Sequence, residues 1–286
     1  MNLPRLAQHL FNVPLVLHPR KAEVIVAALS ERLGITRIEG SMAWEGGDSD
    51  FSQPARKRDT GYDLVEGIAI IPIEGTLVQK LGSLRPWSGM TGYDGIRQSF
   101  LHALNDDAVK AICLDIDSPG GEVAGCFDLV DEIYAARGKK PIRAILSENA
   151  FSAAYAIASA ADYISVPRTG GTGSIGVIVM HVDWSQRLEK DGVKVTLITY
   201  GSRKGEGNPA IPLSDTAMKG IQAEVDSVGG LFVDTVARNR GISAATVRKT
   251  QAATYLGEEG VEIGLADKVQ SPDAAFRDFL KLTGVE

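Results

Sequence analysis

Cysteine is scarce in this chain: Cys113 and Cys126 are the only two in 286 residues. One pair cannot make a disulfide framework. Cys113 lies in an apolar, strand-like run and Cys126 in a predicted helix, so both are expected to be buried thiols in a reducing compartment. Long apolar runs are also missing. The stretch from Met1 to Arg20 is broken by Pro4, Pro14 and Pro19 into apolar pieces of a few residues. Crossing a bilayer takes about 20 consecutive apolar residues, and a signal peptide needs an unbroken apolar stretch and a cleavage site. The expectation is a cytoplasmic protein without a membrane anchor. Positive charge is not in excess: 30 Lys and Arg stand against 36 Asp and Glu, a net charge of −6. Phosphate backbones are bound by basic faces, so no nucleic-acid partner is expected.

What is present is ordinary in bulk. Hydrophobic residues make up 44% and charged residues 23%, usual for a globular chain long enough for one large or two small domains. Residues 21–34 have apolar spacing that predicts a short amphipathic helix. Residues 39–66 are polar and of mixed charge, a composition that buries little. A boundary near residue 66 therefore divides an N-terminal arm, 1–65, from a folded domain, 66–286.

Beyond that boundary short apolar strands alternate with amphipathic helices. Strands are predicted at Gly67–Ile73, Val109–Ile116, Ile142–Leu146, Tyr163–Val166 and Val193–Thr199. Helices are predicted at Tyr93–Asn105, 124–137 and 152–161. Strands joined by helices of this length predict an α/β fold with a mainly parallel sheet. The C-terminal part is helical. After Ser214, a good N-cap residue, Met218, Ile221, Val225, Val228, Phe232 and Val236 form one apolar stripe, interrupted in propensity at Gly229-Gly230.

Three segments could carry chemistry. Ser118-Pro-Gly-Gly121 follows a buried strand. It reads either as a tight turn or as glycine backbone brought close to a substrate, with N–H groups aimed at a developing oxyanion. Ser152 opens the small-residue run Ser152-Ala-Ala-Tyr-Ala-Ile-Ala158. It reads either as a helix N-cap or as a nucleophile beside the free N–H groups of a helix start. Lys204, in Gly201-Ser-Arg-Lys-Gly-Glu-Gly207, reads either as a solvated loop lysine or as a general base. The glycine-rich run Gly170–Gly176 has no Gly-Lys-Ser/Thr ending, so nucleotide binding is not expected.

A serine nucleophile needs a base, and the four histidines are poorly placed for that role. His9 and His18 belong to the arm, His102 to a helix, and His181 follows an apolar strand beside Asp183. Lysine is the known variant. A lysine in water is mostly charged at neutral pH, and holding one neutral costs roughly 4–5 kcal/mol; burial away from carboxylates supplies that. Neither a cofactor nor a metal is called for.

Taken together and in order, these segments resemble the signal-peptide-peptidase-A family of serine peptidases, peptidase family S49, over about residues 66–270. Ser118-Pro-Gly-Gly121 resembles the family's oxyanion turn, Phe151-Ser-Ala-Ala-Tyr155 its nucleophile segment, and Thr172-Gly-Ser-Ile-Gly-Val177 a third block. Lys204 stands 52 positions after Ser152, the spacing of the family's dyad. The resemblance implies a ClpP/crotonase-like α/β spiral, with Ser152 as nucleophile and Lys204 as base. Ser174 would orient the lysine amine, and main-chain N–H groups at Gly120 or Gly121 and at Ala153 would form the oxyanion hole. It also implies a homo-oligomeric ring in which serine and lysine can come from neighbouring subunits. Where many members carry glycines, this chain has Ala153-Ala154, which keeps the N–H donors and narrows the room around the serine.

The missing anchor, together with Gly201–Pro209 and Pro212-Leu-Ser-Asp215, resembles the phage and prophage branch, the prohead or capsid maturation proteases. The expected substrate is a peptide or protein bound as an extended strand. Scaffold, portal or capsid proteins are the expected partners, met in the cytoplasm or inside an assembling prohead. Alternatives are a cytoplasmic peptidase that clears peptides with the same dyad, a crotonase-like acyl-thioester enzyme, and a silent capsid or scaffold component.

Overall fold

The computed structural model describes residues 14–18 and 59–284. The helix expected over 21–34 and the polar stretch up to residue 58 lie outside the described residues. In chain order the strands are β1 (Leu15–Leu17), β2 (Asp63–Val65), β3 (Ile68–Glu74), β4 (Thr76–Val78), β5 (Met90–Gly92), β6 (Ala111–Ser118), β7 (Gly120–Glu122), β8 (Ile142–Phe151), β9 (Tyr163–Val166), β10 (Gly171–Gly173), β11 (Thr254–Leu256) and β12 (Lys268–Val269). The helices are α1 (Tyr93–Asn105), α2 (Cys126–Ala135), α3 (Ala153–Ser159), α4 (Ser185–Lys190), α5 (Asp215–Arg240), α6 (Ala244–Lys249), α7 (Gly257–Glu262) and α8 (Pro272–Leu282).

The larger sheet runs β11–β10–β8–β6–β3–β2, with β9 beside the first half of β8 and β12 beside β9. Its centre is parallel, as expected for crossover units: β3 pairs with β6, β6 with β8, and β8 with both β9 and β10. The second sheet, β1–β7–β4–β5, leans on the same core.

Strand periodicity sorts the central residues onto two faces. Ala69, Ile71, Ile73, Ile112, Leu114, Ile116, Ala144 and Leu146 point into the main core under α1, α2, α3 and α5. Ile68, Ala111, Cys113 and Ile145 point the other way and meet Ala275 and Phe279 of α8. Covering both faces requires the near-continuous apolar runs seen in the sequence. Pro72 is tolerated in a central strand because β2 stops opposite Ile70, so nothing there needs the missing N–H.

Asp63–Val65, on the arm side of the expected boundary, pairs with Ile68–Ile70 as β2, and Tyr62 just before it is buried in the core. From the arm, Leu15–Leu17 joins the second sheet as β1. The long C-terminal helix α5 starts at the expected cap, where the Ala217 N–H donates to the Ser214 hydroxyl at 3.1 Å. It runs unbroken through Gly229-Gly230. Its stripe is divided: Phe232 and Val236 are buried, while Met218 is 54% exposed. No helix among the described residues is long and apolar enough to cross a membrane.

Candidate active site

β8 delivers the chain to Phe151, and α3 begins at Ala153. Ser152 makes the corner between them with φ 55° and ψ −120°, a conformation that costs a non-glycine residue about 1–3 kcal/mol. Two main-chain bonds hold it there. The Ser152 N–H donates to the Gly173 carbonyl at 2.9 Å, and the Ser152 carbonyl accepts from the Ala156 N–H at 2.9 Å. Behind it α3 is buried at every position, so the corner is mounted on an immobile element. The helix-cap explanation fails, because the Ser152 side chain makes no capping bond. Its Oγ is buried and has no hydrogen-bond partner among the described residues. A buried, unsatisfied hydroxyl costs about 1–3 kcal/mol. Strain and an unmet hydroxyl at one residue mark a position shaped for something other than stability.

The Ser118–Gly121 turn lies against this corner. The Ser118 hydroxyl donates to the Gly75 carbonyl at 2.6 Å and accepts from the Gly120 N–H at 3.2 Å. Gly120 has φ 95°, and a Cβ built on it would stand 2.3 Å from the Val16 carbonyl oxygen and 2.9 Å from both the Phe151 oxygen and the Ser152 Cβ. On Gly121 a Cβ would stand 1.8 Å from the Leu77 carbonyl oxygen. Both glycines are therefore required by close backbone approach. Of their two amides, that of Gly120 is turned onto Ser118, while Gly121 lies opposite Val16 in the β1–β7 ladder. The Ala153 N–H, at the first position of α3, has no partner within the helix.

Ser174 directly follows Gly173, whose carbonyl holds Ser152. It is buried, has φ 53°, and its N–H donates to the Ala253 carbonyl at 2.8 Å. Ser152 and Ser174 are thus joined through one main-chain bond. Lys204 is elsewhere. It sits exposed in the turn Gly201–Gly207, its N–H donating to the Gly201 carbonyl at 3.1 Å. Glu206, its acidic neighbour in sequence, pairs instead with Arg203 at 2.9 Å. Within one chain the lysine is not hydrogen-bonded to the serine.

The strand expected at Val193–Thr199 is not formed. Among the described residues, Val193–Thr199 has no hydrogen-bonded neighbouring strand. Ile198 is 96% exposed and Tyr200 fully so. An apolar alternating run becomes a strand only when an edge is available to it, and no edge among the described residues reaches it.

Groups beneath the site are electrostatically quiet. Burial pushes the Cys126 thiol up to about 12, so it packs under α3 as a neutral side chain. Cys113 is likewise buried and free, its thiol raised by desolvation. Burial also raises the Asp115 carboxyl, against the lowering effect of the Ser147 hydroxyl bonded to it. This bond and that from the Asn149 N–H to Asp117 tie β6 to β8 just before the corner.

One participant was missed in the sequence. Leu15–His18 lies along β7, and the His18 ring sits 5.0 Å from that of Phe151. The available signal was the apolar triplet between Pro14 and Pro19, since prolines commonly bound a short edge strand.

Peptidase family S49 matches residues 135–286. The chain is 40% identical over 287 aligned positions to Capsid assembly protease C of Escherichia phage lambda, covering 96% of this chain and 64% of that protein. It is 39% identical to Head-tail preconnector protein GP5 of Enterobacteria phage P21, covering 94% of this chain and 55% of that protein. Protease 4 of Haemophilus influenzae is 27% identical over 73% of this chain and 34% of its own length. The chain thus spans from about a third to just under two thirds of the length of these relatives.

Proposed function

The chain belongs to peptidase family S49, and on that premise we propose that it is a serine endopeptidase whose Ser152–Lys204 dyad is completed between neighbouring subunits. The observation that carries the reading is the Ser152 corner: positive φ, a buried hydroxyl without a partner, and a glycine turn packed against it. A crotonase-like thioester enzyme would have no use for a strained serine there.

The chemistry follows from the groups at hand. The Ser152 Oγ attacks a peptide carbonyl while its proton passes to a neutral Lys204 amine from the next subunit, itself steadied by the Ser174 hydroxyl. The Ala153 N–H, with the amide of Gly121, takes the charge on the oxyanion. Collapse expels the amine, which takes the proton from Lys204, and leaves an acyl-enzyme on Ser152. Water, losing a proton to the same lysine, then hydrolyses the ester. Assembly supports this in two ways. The exposed Val193–Tyr200 run, with bare Ile198 and Tyr200, offers a neighbouring subunit an apolar edge. Closing that junction would shield the nearby lysine and serine from bulk water.

The similarity to capsid assembly protease C and to the preconnector protein over most of this chain supports scaffold, portal or capsid proteins as substrates and a prohead as the place of action. Ser152→Ala and Lys204→Ala test the dyad against an unstructured scaffold-like protein. Each is expected to reduce cleavage by at least about a thousandfold. Cleavage at the parent rate by both variants, or a fluorophosphonate adduct on another residue, would overturn it.

A further inference from the structure

Resting on the reading of Ser152 as a peptidase nucleophile, we propose that Leu15–His18 is a built-in occupant of the substrate cleft. The chain's own segment lies where an extended aliphatic substrate would lie, with Val16 beside Ser152.

A peptidase holds an extended substrate by main-chain bonds to strand edges next to its nucleophile. Two edges serve Ser152: β7, which carries Gly120 and Gly121, and the segment at Ile178, four residues past Ser174. β1 takes both. It pairs antiparallel with β7, Leu15 opposite Glu122, Val16 opposite Gly121 and Leu17 opposite Gly120. On its other side the Leu15 N–H donates to the Ile178 carbonyl at 2.9 Å, and the Ile178 N–H donates to the Leu15 carbonyl at 3.0 Å.

The register places a carbonyl at the nucleophile. The His18 N–H donates to the Pro119 carbonyl at 2.8 Å. The alternation of an antiparallel ladder then makes Val16 and Gly121 the next pair to exchange N–H···O bonds. The Val16 carbonyl therefore falls on the Gly121 amide, one of the two N–H groups assigned to the oxyanion. The point where a Gly120 Cβ would stand is 2.3 Å from that Val16 oxygen and 2.9 Å from the Ser152 Cβ. A substrate carbonyl awaiting attack needs the same neighbours.

The occupant also closes the site. Ser152 is 1% exposed, and Leu15, Val16 and Leu17 are 3%, 0% and 4% exposed. No peptide reaches the hydroxyl while β1 is seated. The side chains define the class of substrate: Val16 packs into the main core, Leu15 and Leu17 point to the opposite face, and His18 stacks near Phe151. The cleft therefore accepts extended segments with a branched aliphatic residue at the central position and leucine-like residues beside it.

The test reads binding rather than turnover, so it is independent of the dyad. In a Ser152→Ala background, a fluorescein-labelled peptide with the sequence of residues 12–20 is titrated and followed by anisotropy. Adding Val16→Asp, which unseats β1, is expected to tighten binding at least about tenfold by removing the tethered competitor. A second variant carries Leu15→Cys with Ile178→Cys, whose Cα atoms are separated by the roughly 5.5 Å of a hydrogen-bonded antiparallel pair, a distance a disulfide spans. Oxidised, it is expected to bind the peptide at least about tenfold more weakly than the same protein reduced. Equal binding by the oxidised and reduced forms overturns the proposal, and so does a peptide that binds no form. Should Val16→Asp not fold, the redox comparison within one protein still decides. Failure of the Ser152–Lys204 reading would appear as cleavage retained by the Ser152→Ala and Lys204→Ala variants and would leave this result unchanged.

Discussion

Gly120 and Ser152 are in contact with no room for a side chain between them: a methyl group on Gly120 would stand 2.9 Å from the Ser152 Cβ. The turn and the nucleophile are one construction, and their separation is fixed by the missing Cβ.

Gly120→Ala is expected to damage both stability and catalysis. Its φ of 95° disfavours any side chain, and the added methyl meets two main-chain oxygens as well as Ser152. The expected cost is about 2 kcal/mol or more in thermal or denaturant unfolding, with at least about a hundredfold loss of cleavage. Gly138→Ala is the control. Its φ is 81° but nothing lies within 4 Å of the new methyl, so it should lose about 1 kcal/mol and keep its activity.

Mixing two inactive proteins tests whether the dyad crosses subunits. In a head-to-tail ring scrambled from Ser152→Ala and Lys204→Ala chains, roughly a quarter of the junctions bring an intact serine to an intact lysine. Cleavage is expected to recover to about that fraction of the parent rate after subunit exchange. No recovery, once exchange is confirmed by mass spectrometry, would place both groups in one chain.

Ile198→Asp is expected to separate assembly from folding. Ile198 is 96% exposed and packs on little among the described residues, so the melting of the isolated subunit should shift by no more than about 0.5 kcal/mol. Sedimentation should show smaller species, and cleavage should fall with them. An unchanged oligomer with full activity would remove this surface from the junction.

The acid limb of stability should carry the signature of Asp278. Hydrogen bonds from Gln270 and then Lys268 hold its carboxyl at about 2, below the ordinary 3.8. A lowered folded-state value means that its contribution is present above about pH 4 and is lost as the pH falls toward 2. Asp278→Asn should therefore melt below the parent at pH 5–7 and converge with it near pH 2. A gap that persists unchanged to pH 2 would assign the effect to packing of α8 instead.

Much of this was legible from residues alone. Helix α1 and strand β9 begin and end where apolar spacing put them, because each buries a clear periodic face. The glycine turn and Ser152 were marked by residue type and position, Ser174 only by the family resemblance, and all three meet at the end of β8. Three things were not legible. The Val193–Thr199 run has the pattern of a strand, but a pattern carries no information about whether an edge exists to receive it. The Ser152 corner is a backbone conformation rather than a residue type, so its strain could not be read from the letters. β1 is only three residues long, too short for any period, and its place depends on contacts more than 100 residues away in sequence.

The shortness of β1 also sets a clock. Elements open locally with free energies that run from near zero to the full stability of the domain, and a three-residue edge strand belongs at the low end. Ser152 stands on α3, buried at every position, and cannot move out to meet a peptide. The strand can leave, and it can do so without disturbing the parallel sheet behind it. Amide hydrogens on Leu15, Val16 and Gly121 should therefore exchange with solvent long before those of β3, β6 and β8. The rate of that exchange would bound how often the hydroxyl is uncovered.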